Sequence, residues 1–281
     1  MADDDSPRRA IAFGIFLALA LVGAVLVLLL RPSAPPPAPA ADAGEPPPPP
    51  APEPAPLADE EPTGEVEPPP EPLASEPDDE QLRALLGELS GHPSFSKWLE
   101  HAALGRLAAV VAMIARGESP RTILGFLPVE GKFQTLRRGE REFVDPQSYS
   151  RYDALVEVFL SLDARATARL IARLKPWLDR KVREIEKPGT TFRKLLVQAM
   201  GELLEVPCVT GDVPLFTTAV VMKIDIPELE AMSEAQKHLF RMGPENVRKV
   251  QGKLRELGRA LGLARELAAY RPIAFSATRA E

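Results

Sequence analysis

Two short polar clusters hold the residue types with the widest chemical scope in this 281-residue chain. The first, DPQSYSRYD from Asp145 to Asp153, offers two carboxylates, two phenols and the Arg151 guanidinium. Such a group can bind a polar ligand, or one carboxylate can act as a general acid or base. A structural use competes: Asp145-Pro146 reads as a turn, and Ser150 with Asp153 has capping-box spacing ahead of a helix over Leu155–Leu162. That structural use carries the greater weight. The second cluster is RMGPEN, Arg241 to Asn246. Gly243 ends one helix, Pro244 suits the first turn of the next, and Glu245 is favoured at a helix N-terminus by its charge. Arg241 and Asn246 have no such role, and their pairing across the turn is preferred to contact with a ligand. The candidate binding residues are therefore Asp145, Tyr149, Arg151, Tyr152, Asp153, Arg241, Glu245 and Asn246.

Other chemistry is poorly supplied. His92, His101 and His238 are the only histidines and none stands at ligand spacing from another, so no metal site is expected. Cys208, the single cysteine, lies between Pro207 and Gly211 with no histidine nearby in sequence. No phosphate loop, dinucleotide fingerprint or nucleophile elbow is present. No cofactor and no catalytic residue is assigned, and nucleic acid is not expected as a partner. With one cysteine there is no intramolecular disulfide, and stability rests on an apolar core.

Helical periodicity dominates the segments that must position these clusters. From Asp163, a helix cap, Leu170, Ile171, Leu174, Trp177, Leu178, Val182 and Ile185 follow 3.6-residue spacing, with Arg165, Arg169, Arg173 and Arg180 on other faces. Pro176 predicts a kink or break there. Ser94 can cap a helix carrying Phe95, Trp98, Leu99, Leu107, Val110, Val111 and Ile114, stopped by Gly117 and Pro120. Thr190 or Thr191 can cap a segment with Phe192, Leu195, Leu196, Met200 and Leu203, ended by Pro207. A helix bearing Val247, Val250, Leu254, Leu257 and Leu261 follows Pro244. Strand signals are fewer: Lys132–Leu136 and Glu140–Val144 flank a three-residue turn, and Leu215–Ile224 is a second extended candidate.

The N-terminal third is organised differently. Ala10 to Leu30 is a charge-free apolar run whose 21 residues span about 31 Å as a helix, the thickness of a bilayer core. It is longer than a signal peptide's apolar core and runs into Arg31-Pro32, so a retained single-pass anchor is expected. Arg8 and Arg9 before it favour a cytoplasmic N-terminus. Ala10, Gly14 and Ala18 have the small-residue spacing that allows a homodimer through this helix. Residues 32 to 80 hold 19 prolines and 13 acidic residues with no basic one, a composition that stays disordered or semi-extended and reaches at most about 150 Å. The remainder carries 31 basic against 24 acidic side chains, so the net charge of −6 hides a domain of +7. A basic domain of this kind can attract an anionic envelope component.

The expected organisation is a cytoplasmic tail over 1–9, a transmembrane helix over 10–30, a disordered proline-rich linker over 31–80, a mainly helical globular domain with a small β hairpin or sheet over 81–262, and a C-terminal tail over 263–281. ARG-x-x-P (Ala115 to Pro120), DPxxYxRYD (Asp145 to Asp153), SLD (Ser161 to Asp163) and RMGPEN, behind an apolar run and a proline-rich linker, resemble an uncharacterised proteobacterial family, domain of unknown function 3014. The resemblance covers most of residues 80 to 260. It implies a Gram-negative host and a periplasmic domain held at the inner membrane, and it brings no catalytic residues. The functional expectation is an interaction module for an envelope protein or cell-wall component. The alternatives are an envelope hydrolase using the carboxylates of DPxxYxRYD, or a structural subunit of an envelope assembly.

Overall fold

A computed structural model of the chain describes residues 70–124, 129, 131–217 and 222–275. Its helices are α1 (Asp79–Gly87), α2 (Phe95–Leu99), α3 (Leu104–Ala115), α4 (Arg121–Leu124), α5 (Asp153–Leu160), α6 (Ala164–Ile185), α7 (Phe192–Leu204), α8 (Pro227–Glu230), α9 (Glu234–Phe240), α10 (Pro244–Ala260) and α11 (Ala264–Leu267), with a 3-10 helix over Pro146–Tyr152. Four short strands, β1 (Thr135–Arg138), β2 (Arg141–Val144), β3 (Pro214–Thr217) and β4 (Met222–Ile224), pair antiparallel in chain order.

The centre is α3. Arg106 is its only charged residue, and Leu104, Leu107, Ala108, Val110, Val111, Ala112 and Ile114 are all buried, so its apolar surface runs around most of the helix and must be covered on more than one side. α6 and α7 provide that cover, and α10 packs on α5, α6 and α7. α6 is amphipathic as its spacing predicts: Leu170, Ile171, Leu174, Leu178 and Val182 are buried, and Asp163 caps it by accepting from the Ala166 N–H. Thr191 caps α7 in the same way through the Lys194 N–H. Gly243, at φ +85°, separates α9 from α10, and Pro244 opens α10 as expected.

The mainly helical architecture with a small antiparallel sheet stands, and several details are corrected. No helix among the described residues is long and apolar enough to cross a membrane, which removes the single-pass anchor from the fold class. The run from Ala10 to Leu30 on which it was read, with its small-residue dimer face, lies outside the described residues, as does the linker up to residue 69. From Pro70 onward the expected linker is docked: Leu73 exchanges hydrogen bonds with the Arg173 carbonyl and the Trp177 indole, and Glu76 pairs with Lys181 and Arg180.

Pro176 does not break α6, which is continuous from Ala164 to Ile185. The proline is exposed, and an interior proline costs about 3 kcal/mol, whereas burying each large aliphatic side chain on the opposite face yields about 1.5–3 kcal/mol. Burial wins. Ile185, expected on the apolar face, is 49% exposed at the helix end. The helix expected from Phe95 through Ile114 is two helices, because Ala103 adopts an extended conformation; neither Ser94 nor Ala103 supplies a side-chain cap. Both halves nevertheless reach one core. The first hairpin closes one residue tighter than expected, with Arg138 opposite Arg141 and Gly139 at φ +62° in a two-residue turn. Leu215–Ile224 is a second hairpin rather than one extended run.

Beyond residue 262 the chain stays on the domain. Leu267 and Tyr270 pack against Gly258 and Gly201, and Ile273 N–H donates to the Glu205 carbonyl at 2.8 Å. A Cβ at Gly201 would lie 2.2 Å from the Tyr270 ring. Gly201→Ala is therefore expected to cost about 1–3 kcal/mol in urea unfolding. The same substitution should speed chymotryptic cleavage after Tyr270.

Candidate functional site

The structure brings the two polar clusters together. The 3-10 helix of DPQSYSRYD begins at Asp145, whose carboxylate accepts from the Gln147 N–H, and its buried Ser148 closes the segment onto Gln134. This places Tyr149 against the α9–α10 turn, so closely that a Cβ at Gly243 would be 2.4 Å from the Tyr149 ring. Asn246, buried in the first turn of α10, ties the turn to the cluster: its amide donates to Asp153 Oδ1 at 2.9 Å, the Met242 carbonyl at 3.2 Å and the Tyr149 carbonyl at 3.5 Å.

Two expected pairings are replaced by these bonds. The Ser150–Asp153 capping box does not form, because Ser150 Oγ donates to the Gln147 carbonyl and Asp153 serves Asn246. Arg241 and Asn246 do not pair across the turn; Asn246 faces Tyr149 and Asp153, while Arg241 acts electrostatically on His238 and Tyr152. Glu245 stays exposed and pairs with Lys249 at 2.6 Å on the helix surface, away from the other candidates' hydrogen bonds.

What remains is a cluster of donors. Arg151 stacks its guanidinium over the Phe133 ring at 5.7 Å and the Tyr152 ring at 5.3 Å, donates Nε–H to the Ser148 carbonyl at 2.8 Å and approaches Tyr152 Oη at 3.5 Å. Tyr152 is buried, and burial pushes its phenol well above the usual range, against the pull of Arg151 and Arg241. Burial, with Asp145 and Asp212, raises Tyr149 to about 12. Both phenols therefore stay protonated at neutral pH. Burial lowers Arg241 from its ordinary value, against the opposing influence of Glu234, Tyr152 and Glu230.

His238 was missed by the sequence reading. It lies three residues before Arg241, the spacing that puts two side chains on one helical face, and that was the available signal. It is 1% exposed and its Nδ1 lies 3.2 Å from Ser119 Oγ, within the ARG-x-x-P segment. Burial first, then Arg241 and Arg121, depress it to about 3. A serine beside a histidine suggests a nucleophile and its base, but an imidazole held at about 3 is a feeble acceptor for a hydroxyl proton. Cys208 is pushed up by burial, which disfavours the thiolate. Among the described residues, no group of three His, Cys, Asp or Glu is placed to hold a metal ion.

ARG-x-x-P joins the same locus through Gly117 as well. Its carbonyl accepts from the Ala235 N–H at 3.1 Å, and at φ +72° it leaves no room for a Cβ beside Ser233. SLD lies elsewhere, with Ser161 bonded to Ser90 and Asp163 capping α6. A family model described as "Protein of unknown function (DUF3014)" matches residues 104–258, more than half the chain. The chain belongs to that family. No curated protein and no solved structure matches it. The matched DUF3014 region takes in every residue of the donor cluster and stops inside α10.

In this DUF3014 domain His238 titrates only when unfolded over most of the acid range. The unfolded chain binds a proton near pH 6.5 and the folded one near 3, so stability is intact above about 6.5 and falls as pH drops toward 3, by up to about 1.4 kcal/mol per unit. His238→Gln should flatten that limb in urea titrations run at a series of pH values. Asn246→Ala should cost about 1–3 kcal/mol at any pH, because Asp153 and the turn carbonyls lose their donor.

Proposed function

We propose that the domain is an interaction module of the cell envelope whose recognition face is the arginine stripe of α6. At 100° per residue, Arg165, Arg169, Arg173, Arg180 and Arg183 fall within an arc of about 80°, along about 27 Å of helix. Arg165, Arg169 and Arg183 are exposed and Arg173 is half-buried, and among the described residues none of these four makes an ion pair. Arg180 is the one member of the row that is paired among the described residues, with Glu76 and Glu184, and elsewhere on the helix Lys175 and Lys181 are paired. Like charges four residues apart cost a few tenths of a kcal/mol each, so a row left largely without carboxylates is a standing expense that a partner would relieve.

That largely unpaired row is the observation that carries the reading. The partner has an acidic face or chain, either an envelope protein or an anionic cell-wall component, and the acidic proline-rich segment gives the domain reach toward it. The family resemblance supports the envelope setting.

The test is affinity capture from crosslinked cells with the full-length protein and with an Arg165→Glu/Arg169→Glu variant. A partner held in stoichiometric amount by the parent, released by salt and lost by the variant with its circular dichroism unchanged, is the expected result. Equal capture by both, or no stoichiometric partner for either, overturns the reading.

A further inference from the structure

We infer that Arg241, with Arg151, Tyr152 and His238, forms a receptor for a single oxyanion, a carboxylate or phosphate group, where the ARG-x-x-P, DPxxYxRYD and RMGPEN segments meet. The inference does not rest on the α6 stripe. It starts from two atoms that folding has stranded. Arg241 Nη1 and His238 Nε2 are both shielded from solvent, and among the described residues neither has a hydrogen-bond partner. Nearly all buried polar atoms in folded proteins have a partner, and a guanidinium taken out of water without a counter-charge costs several kcal/mol. Two such atoms on side chains three residues apart, at the end of one helix, are not an accident of a loose surface.

The neighbouring carboxylates do not solve the problem for Arg241. Glu230 and Glu234 act on it from a distance, yet both are engaged by Lys237, at 3.2 and 3.5 Å, and Glu230 also accepts from the Ile224 N–H. Arg151 makes no ion pair among the described residues, and its orientation is fixed by the Ser148 carbonyl and by two aromatic faces. Assigning the 3.2 Å contact between Ser119 Oγ and His238 Nδ1 with the hydroxyl as donor puts the ring proton on Nε2 and makes His238 a further donor. Tyr152 holds its proton because its phenol is buried. The set is made of donors and two fixed cations. Only a ligand that accepts throughout, an ionised oxyanion, satisfies them together, and the planar fork of arginine suits carboxylate and phosphate alike. Arg241 as a residue is only partly buried.

The experiment measures thermal unfolding of the full-length protein in sodium phosphate and in sodium acetate, each against sodium chloride at matched ionic strength. Expected is a saturable rise in Tm beyond the chloride control. A rise with phosphate alone identifies a phosphate group, a rise with acetate alone identifies a carboxylate, and either supports the site. Arg241→Gln should weaken the effective ion at least tenfold, with Arg241→Lys retaining part of the response. Should Arg241→Gln not fold, ring-proton spectra of the parent decide: the His238 resonance should move saturably with the same ion while those of His92 and His101 stay still. No saturable effect in either arm, an equal effect in Arg241→Gln, or an unmoved His238 resonance overturns the inference.

Discussion

A helix that is apolar around most of its circumference leaves a chain few choices, and α3 is such a helix. With Arg106 as its single charge, the segment Leu104–Ala115 must be wrapped, and α6 and α7 are the elements that wrap it. Burying its leucines, valines and isoleucine is worth about 1.5–3 kcal/mol apiece, enough to keep α6 continuous through Pro176. The same demand sets the exterior. Once Leu170, Leu174, Leu178 and Val182 turn inward, the arginines between them have nowhere to go but the outer face. The basic stripe is thus a consequence of the core, and what distinguishes it is that, among the described residues, only Arg180 of its five arginines has a carboxylate to match.

A second constraint is local. Gly243 combines a positive φ with a ring packed where its side chain would be, so the α9–α10 turn and the 3-10 helix meet backbone against aromatic face. Any larger residue would separate them. Because they touch, Asn246 reaches Asp153 and the Tyr149 carbonyl, and Tyr152 comes under the influence of Arg241. The residues of the two clusters, with His238, divide accordingly. Asp145, Tyr149, Asp153, Gly243 and Asn246 build the junction, whereas Arg151, Arg241 and His238 are held by it with donor capacity to spare.

How much of this the sequence disclosed depends on the range of the forces involved. Asp163, Thr191 and Gly243-Pro244 were legible because a cap or a helix break is decided within four residues. The break at Ala103 was not, since the nearby Gly105 lies inside α3 rather than at the break and the apolar spacing runs on across it. Ser150 and Asp153 had capping-box spacing, but Asn246, 93 residues away, is the stronger partner for Asp153. The same long-range effect hid the docking of Leu73 and Tyr270, which lie in segments whose composition suggested linker and tail. The clusters themselves were visible as unusual residue types. Their meeting was not, and His238, one of three scattered histidines, gained its significance only from that meeting.

The two cationic features differ in kind, and the difference bears on what each can recognise. The stripe on α6 lies in water, where at physiological ionic strength its field fades over about 8 Å, so its strength comes from length and repetition and favours an extended acidic surface. Arg241 is shielded by burial, under the influence of Tyr152, where screening is weak and each unmet hydrogen bond is costly. A site of that type discriminates by geometry: one group of the right size completes it, and a diffuse cloud of counterions does not. On the readings proposed above, the long exposed row would hold a polyanionic partner loosely along one helix, and the small shielded fork would read a single acidic group at one point.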